Sequence, residues 1–496
     1  MSAKPIPAVR YVSRFTNGRT PLPSGLNQPM PYLSFIKMKK AIYLFLLLGT
    51  FLQAQETPTT LTFEEYIGYV KKYHPLVKQA NLKLNEAEAY LMKARGAFDP
   101  KIEADFNNKQ FENKEYYSVF NGSFKVPTWY GIELKAAFDN NEGIYLNPEN
   151  IAPTNGLTSL GISVPIGQGL LINERMADLK KAKFLQNLNR AEQQLAVVNA
   201  IQQASSAYLE WVQTFAQVKL YYNYLTNAKV RYNGIVKLIE QGDKRALDSI
   251  EAGITVRKRN LNLEKATLKF QKAGLKLSNF LWLEDNVPVE LAPNLEPELK
   301  PTAGILASLN MIDYENITIE NNPKLEALYA KTDILKVDQK LRGNMLLPKL
   351  DLSYDYLSEP STFDNYQFDN YKVGVNFALP IFLRKERANY KLAQIKVKNA
   401  ELTNVFQETE INNKLNAQKI EIKAINSQVS IASELVDSYK KMLTAEERLF
   451  TIGESALFLI NSRENSLVTS QLEQIELERS YQEALLALFN TRGTIE

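Results

Sequence analysis

The chain has 496 residues, no cysteine, a single histidine (His74) and a formal charge of +4. The absence of cysteine excludes disulfides, thiolate metal sites, a cysteine nucleophile and a lipid anchor on an N-terminal cysteine. Residues 1–54 hold seven Lys or Arg and no acid, so without them the charge falls from +4 to −3 (4 − 7). The basic balance belongs to the leader, and it gives no support for nucleic-acid binding.

Taken in chain order, residues 1–37 are rich in Pro and basic residues and read as an upstream extension, either a disordered arm or untranslated. Residues 38–54, "MKKAIYLFLLLGTFLQA", have a charged start at Lys39 and Lys40, an apolar run from Ala41 to Leu52, and a small residue at Ala54. That is the pattern of a secretory signal peptide, and the run is short of the roughly 20 residues of a spanning helix.

The first repeat is expected over 55–284. A helix beginning at His74–Pro75 leads to β-strands at about 100–166, where Ile102, Ala104 and Phe106 alternate with Glu103 and Asp105. "NGSFKVPTWYG" and "GIELKAAFD" form a further hairpin candidate, which could be wall or external loop. A long helix is predicted from about 170 to 240, then a glycine break at Gly242 and a returning helix. A linker with several prolines spans 285–321.

The second repeat, 322–496, follows the same plan. "NPKLEALYAKTDILKVDQKLRGNMLLPKLDLSY" from Asn322 aligns without a gap with "HPLVKQANLKLNEAEAYLMKARGAFDPKIEADF" from His74. Strands at about 348–380 alternate cleanly, with Leu350, Leu352, Tyr354 and Tyr356 on one side and Asp351, Ser353 and Asp355 on the other. Period-two patterning gives one apolar and one polar face, which suits a lipid-facing barrel or a soluble sandwich. A long helix at about 384–451 contains no Pro or Gly, and at 1.5 Å per residue it runs about 100 Å. Within it Ile422, Ile425, Val429, Ala432, Val436, Tyr439 and Leu443 step by alternating threes and fours, a coiled-coil seam. Gly453 then precedes a returning helix.

"LIEQGDKRAL" and "LFTIGESALF" put Gly242 and Gly453 in matching places. A helix of such length must turn back, and glycine takes the left-handed conformation that closes a helix. Asp243 and Glu454, next in sequence, are expected near the N-terminus of each returning helix, where negative charge is stabilised.

These features together resemble the TolC family of outer-membrane efflux proteins, over about 60–490. The carrying motifs are the doubled plan, the "NP…LPKLDL" passage from helix to strand, the "LPI" strand end feeding a long helix, and "F-T-I-G" before the returning helix. The resemblance implies an α+β membrane protein: a long coiled-coil helical barrel plus a transmembrane β-barrel shared by a homotrimer, each chain giving four of twelve strands. It implies a passive exit duct that contacts outer-membrane lipid and works with a periplasmic adaptor and an inner-membrane transporter. It places adaptor docking at Gly242, Asp243, Lys244, Ile452, Gly453, Glu454 and Ser455. The periplasmic aperture falls at Asp248, Glu251, Phe450, Phe458 and Asn461. Phe450 and Ser455 stand where the family has a Tyr and an Arg, so the family's polar lock cannot form in the same way; Asp248 and Glu251 are candidates for a substitute acidic ring.

No catalytic constellation is present. His74 stands at a helix start, "GQG" (Gly167–Gly169) lacks the rest of a dinucleotide fingerprint, and no cofactor or metal is expected. The competing readings are a secreted coiled-coil scaffold with a small β-domain, and an exit duct for protein or peptide export.

Overall fold

The computed structural model describes residues 9–11, 60–292, 294–362 and 367–494. The expected signal peptide and most of the upstream extension lie outside them.

In chain order the elements are β1 (Val9–Tyr11), β2 (Thr60–Leu61), α1 (Phe63–Tyr73), α2 (Pro75–Gly96), β3 (Lys101–Phe111), β4 (Lys114–Pro127), β5 (Glu133–Glu142), β6 (Leu157–Pro165), α3 (Glu174–Glu240) and α4 (Ala246–Ser278). There follow β7 (Val289–Leu291), β8 (Glu296–Pro297), α5 (Thr302–Ser308), α6 (Pro323–Asn344), β9 (Lys349–Ser358), β10 (Tyr371–Ala378), α7 (Arg384–Thr451) and α8 (Leu457–Arg492). Helices α3 and α7 have 67 and 68 residues, so each runs about 100 Å.

The repeats begin alike for a physical reason. His74 Nδ1 accepts from the Leu76 amide at 3.2 Å and Asn322 Oδ1 from the Lys324 amide at 3.0 Å, and a proline sits in the first turn of both α2 and α6. A side-chain acceptor satisfies an orphan amide, and proline has no amide to satisfy there. His74 is buried and stacked on Phe280 at 5.3 Å, and burial lowers its pKa.

The helices form two tiers of four. Nearer the sheet the packing order is α2–α3–α6–α7; nearer the glycine breaks it is α4–α3–α8–α7. Lys83–Glu192 (2.9 Å) bridges α2 to α3, Lys331–Glu192 (3.1 Å) bridges α6 to α3, and Asn404 donates to Thr332 between α7 and α6. Of the predicted α7 seam, Ile422, Ala432, Val436 and Leu443 are buried and Ile425, Val429 and Tyr439 half-buried. Between the tiers sits the main core. There Tyr208 packs on Phe63 and Tyr66 (5.4 Å each), and Tyr208 Oη donates to Leu61 O at 2.8 Å. The segment at 285–321, expected as a linker, is itself folded: Ile305, Leu309 and Met311 are buried in this core, β8 pairs with β2, and β7 pairs with β1.

A six-stranded antiparallel sheet, ordered β3–β4–β5–β6–β9–β10, caps the helices. The resemblance implies four strands, and the described sheet has six, with β4 and β5 standing between β3 and β6. The register lines Ile102 against Phe124, Leu134 against Ile162, Ile162 against Tyr354, and Tyr354 against Val373. One apolar face therefore runs unbroken across all six strands, and every strand has exposed side chains on it: Ile102 is 82% exposed and Val375 65%. The opposite face carries Glu103, Lys125, Lys135, Ser163, Asp351 and Asn376. No described helix is long and apolar enough to cross a membrane.

The turn between β4 and β5 is fixed to the helices. Trp129 stacks on Phe98 at 5.7 Å, its carbonyl accepts from Asn173 Nδ2 at 3.2 Å, and Glu133 pairs with Arg175 at 2.8 Å. At the sheet-to-helix passage, Gly169 has a φ of +102° and its amide donates to Asn344 Oδ1 at 2.7 Å. A Cβ at Gly167 would lie 2.2 Å from the Pro348 carbonyl oxygen. Of the "GQG" glycines, Gly167 thus serves close backbone approach and Gly169 a backbone turn with positive φ.

Candidate functional site at the helical tips

Both long helices end in the same motif. Gly242 (φ +83°) donates its amide to Ile239 O at 3.0 Å, and Asp243 donates to Leu238 O at 2.8 Å. Gly453 (φ +82°) donates to Phe450 O at 3.1 Å, and Glu454 to Leu449 O at 2.9 Å. This double bond pattern around a left-handed residue is the Schellman closure, which satisfies the last carbonyls of the helix. Nothing lies within 4 Å of a Cβ at either glycine, so backbone conformation rather than space demands it.

Asp243 and Glu454 stand just before the first turns of the returning helices. Those helices start at Ala246 and Leu457, a few residues later, because the chain needs an extended stretch after the closure to reverse. In α4 the first-turn acid is Asp248, whose Oδ2 accepts from the Arg245 amide at 3.2 Å; α8 has none. Asp243, Ile452 and Glu454 are exposed at the two tips, and Lys244 is half-buried.

The expected aperture residues bring the two tips together. Lys244 Nζ lies 4.9 Å from the Phe450 ring centroid, and Phe450 also packs beside Ile235, Ala252 and Leu457. Glu251 Oε1 accepts from Asn461 Nδ2 at 3.0 Å, linking α4 to α8. Ser455 donates to Glu446, which is paired with Arg463 at 3.6 Å. Phe458 is exposed and joins none of these contacts in one chain. At Phe450 and Ser455 this chain thus has a cation–π contact and a Ser–Glu hydrogen bond.

Above this level lies a charged cluster that sequence reasoning missed. Glu464 of α8 is 1% exposed and sits between Arg231 of α3 and Arg259 of α4, each at 3.1 Å. Arg231 also approaches Glu447 of α7 at 3.5 Å, and Arg259 donates to Asn465 Oδ1 at 2.8 Å. The cluster ties all four helices of the lower tier together. Tyr224 lies over Arg259 and donates to Gln471 at 2.6 Å; burial, with Glu464's charge adding, pushes its pKa up to about 12. In sequence these charges look like solvated helix faces, and only their spacing along heptad-like positions hints at a shared interior.

The fold is of a definite kind: two repeats of coiled helical pairs capped by one antiparallel sheet with one exposed apolar face. The chain is similar in structure to the Campylobacter jejuni CmeC outer membrane channel (TM-score 0.59, 15% identity, 95% of this chain and 94% of that one). It is likewise similar to the open-state Neisseria gonorrhoeae MtrE outer membrane channel (TM-score 0.60, 13% identity, 87% and 88%). A third is the outer membrane protein VceC from Vibrio cholerae (TM-score 0.59, 13% identity, 87% and 96%). No curated protein matches the chain in sequence. Residues 316–494 match the family model described as outer membrane efflux protein. The second repeat carries the sequence pattern of that family, the whole chain carries the fold of TolC-like channels, and the resemblance read from the sequence stands.

Proposed function

We propose that this protein is the outer-membrane exit duct of a tripartite efflux or secretion system. Three copies form a homotrimer. The sheets make its transmembrane wall and the helices make a tunnel across the periplasm. A periplasmic adaptor docks on the helical tips at Gly242–Lys244 and Ile452–Ser455, and an inner-membrane transporter supplies the energy. The channel itself is passive, and needs no cofactor.

The observation that carries this reading is the unbroken apolar face over six strands, exposed along its whole width. Such a face in water is a strong driver of association, and strands of about ten residues suit a membrane crossing. A second observation supports the assembly. Helix α4, at the open side of the lower tier, exposes Leu247, Ile254, Leu261, Leu268 and Leu275. Their steps of seven make a coiled-coil stripe with no partner inside the described chain. Another copy's α7, at the tier's other open side, exposes Ile420, Ile431 and Leu435 to receive it.

The test is fractionation of the expressed full chain followed by electrophoresis and planar-bilayer recording. The reading expects the outer-membrane fraction, SDS-resistant, heat-modifiable trimers, and channel conductance. A monomeric protein released with the soluble periplasm would refute it and favour a scaffold.

A further inference from the structure

We infer that β4 and β5 are part of the transmembrane wall, and that β3 of one copy pairs with β10 of the next, closing an eighteen-stranded barrel from three copies. This rests on the trimer proposed above and departs from the twelve strands of the family plan.

Three features lead here. First, β4 and β5 are full members of the sheet. The β3–β4 register is unbroken from Lys101 to Lys109, with one shift at Gln110 near the far turn, and β5 pairs with β6 from Glu133 to Asp139; over that length they continue both faces: Phe124, Val126, Leu134 and Ala136 extend the apolar one, Lys125 and Lys135 the polar one. A hairpin lying outside the wall would have no reason to keep this alternation in phase. Second, the β4–β5 turn is short and bolted to Phe98, just past α2, and to the start of α3 through Trp129, Asn173 and the Glu133–Arg175 pair. A hairpin so held at its base starts at the same level as the neighbouring strands.

Third, the open edges agree on both floors. The sheet ends in β3 and β10, and the upper tier of helices ends in α2 and α7. β3 follows α2 directly, and β10 leads directly into α7. Both helices expose apolar residues at that level: Leu82, Tyr90 and Met92 on α2, and Leu392, Ile395 and Leu402 on α7. In lipid the unpaired amides and carbonyls of β3 and β10 have no water to bind, so a spanning sheet must close. A second copy presents the missing edge, with its helix already beneath it. At a strand spacing of about 4.8 Å and a tilt of about 40°, eighteen strands give a ring roughly 36 Å across and twelve give roughly 24 Å.

Electron microscopy of the detergent-extracted full-length protein tests this. The expected result is three copies around a ring of eighteen strands, with β4 and β5 in the wall. A twelve-stranded ring with the β4–β5 hairpin outside would overturn the inference and leave the exit duct standing. A protein with no membrane ring would overturn both. Because the chain has no cysteine, paired substitutions give an independent check. Ala137→Cys with Ser159→Cys, opposite each other on β5 and β6, should oxidise within one chain in the membrane. Glu103→Cys combined in turn with cysteine at Lys372, Gly374 or Asn376 should give covalent dimers and trimers for at least one pair. Failure of the Ala137–Ser159 bond, or of all three seam pairs, counts against the eighteen-stranded wall.

Discussion

Glu464 is the residue whose loss should do most to the lower tier. Glu464→Gln keeps the volume but removes the negative charge between two guanidinium groups, and it turns an acceptor toward one of them into a donor. The side chains of Glu464, Arg259 and Arg231 are 1%, 4% and 14% exposed, so water can do little to compensate. Removing one partner of such a buried pair costs about 3–5 kcal/mol, since it strands the remaining charge. Glu447 reaches only Arg231, at 3.5 Å, and cannot replace the lost carboxylate at Arg259. Local opening should then rise roughly a hundredfold to a few thousandfold. Hydrogen–deuterium exchange on the extracted protein reads this directly. Amides around Glu464 in α8 should lose protection by that factor, while those near Leu485 and Phe489, in the main core, should not change. An exchange change under about threefold at residues 460–468 would refute the reasoning, because it would mean that the pair is solvated. Replacing all three by apolar residues, Glu464→Met with Arg231→Met and Arg259→Leu, should recover most of the protection.

Gly453→Ala and Gly242→Ala should each cost about 1–2 kcal/mol, as a Cβ is strained at these φ values, and asparagine should cost less; thermal melts check this. Burial holds the His74 pKa below its unfolded value of about 6.5, so its contribution is complete above that pH and is lost as pH falls towards the folded pKa. His74→Asn, which keeps a capping acceptor, should flatten the fall in melting temperature between about pH 7 and pH 5. Val375→Lys on the apolar face should impair membrane assembly by about 2–4 kcal/mol, while Asn376→Lys on the polar face should be tolerated, as heat-modifiable trimer yield will report. Asp248→Ala with Glu251→Ala should weaken block of the channel by divalent cations; unchanged block in single-channel recordings would remove these residues from the aperture.

Much of this arrangement could be read from residue order because it rests on local rules. The α7 seam from Ile422 to Leu443 follows from helical period alone, and a left-handed glycine after a long helix needs no knowledge of the partner. What stayed hidden depends on distant neighbours. Alternation in "GIELKAAFD" says that a strand has two faces but not which strand lies beside it, so β5 could be placed neither in the wall nor outside it. The prolines of 285–321 mark breaks, yet Ile305 and Met311 are core residues through contacts with α1 and its surroundings. Arg231, Arg259 and Glu464 lie in three helices, and each alone resembles any solvated helical charge. The residues between the Schellman closure and the next helix are equally hidden in sequence, and they make Asp248 rather than Asp243 the first-turn acid of α4.

The anchored β4–β5 turn has a consequence for the interior of the proposed duct. Four helices side by side at about 8–10 Å subtend an arc of roughly 32–40 Å in each chain. Six tilted strands subtend roughly 38 Å, whereas four would subtend roughly 25 Å. The inserted hairpin would therefore bring the girth of the membrane section to that of the helical section beneath it. Cargo rising from the periplasm would meet no shoulder at the junction, and the narrowest passage would be left to the tips, where the glycine turns converge.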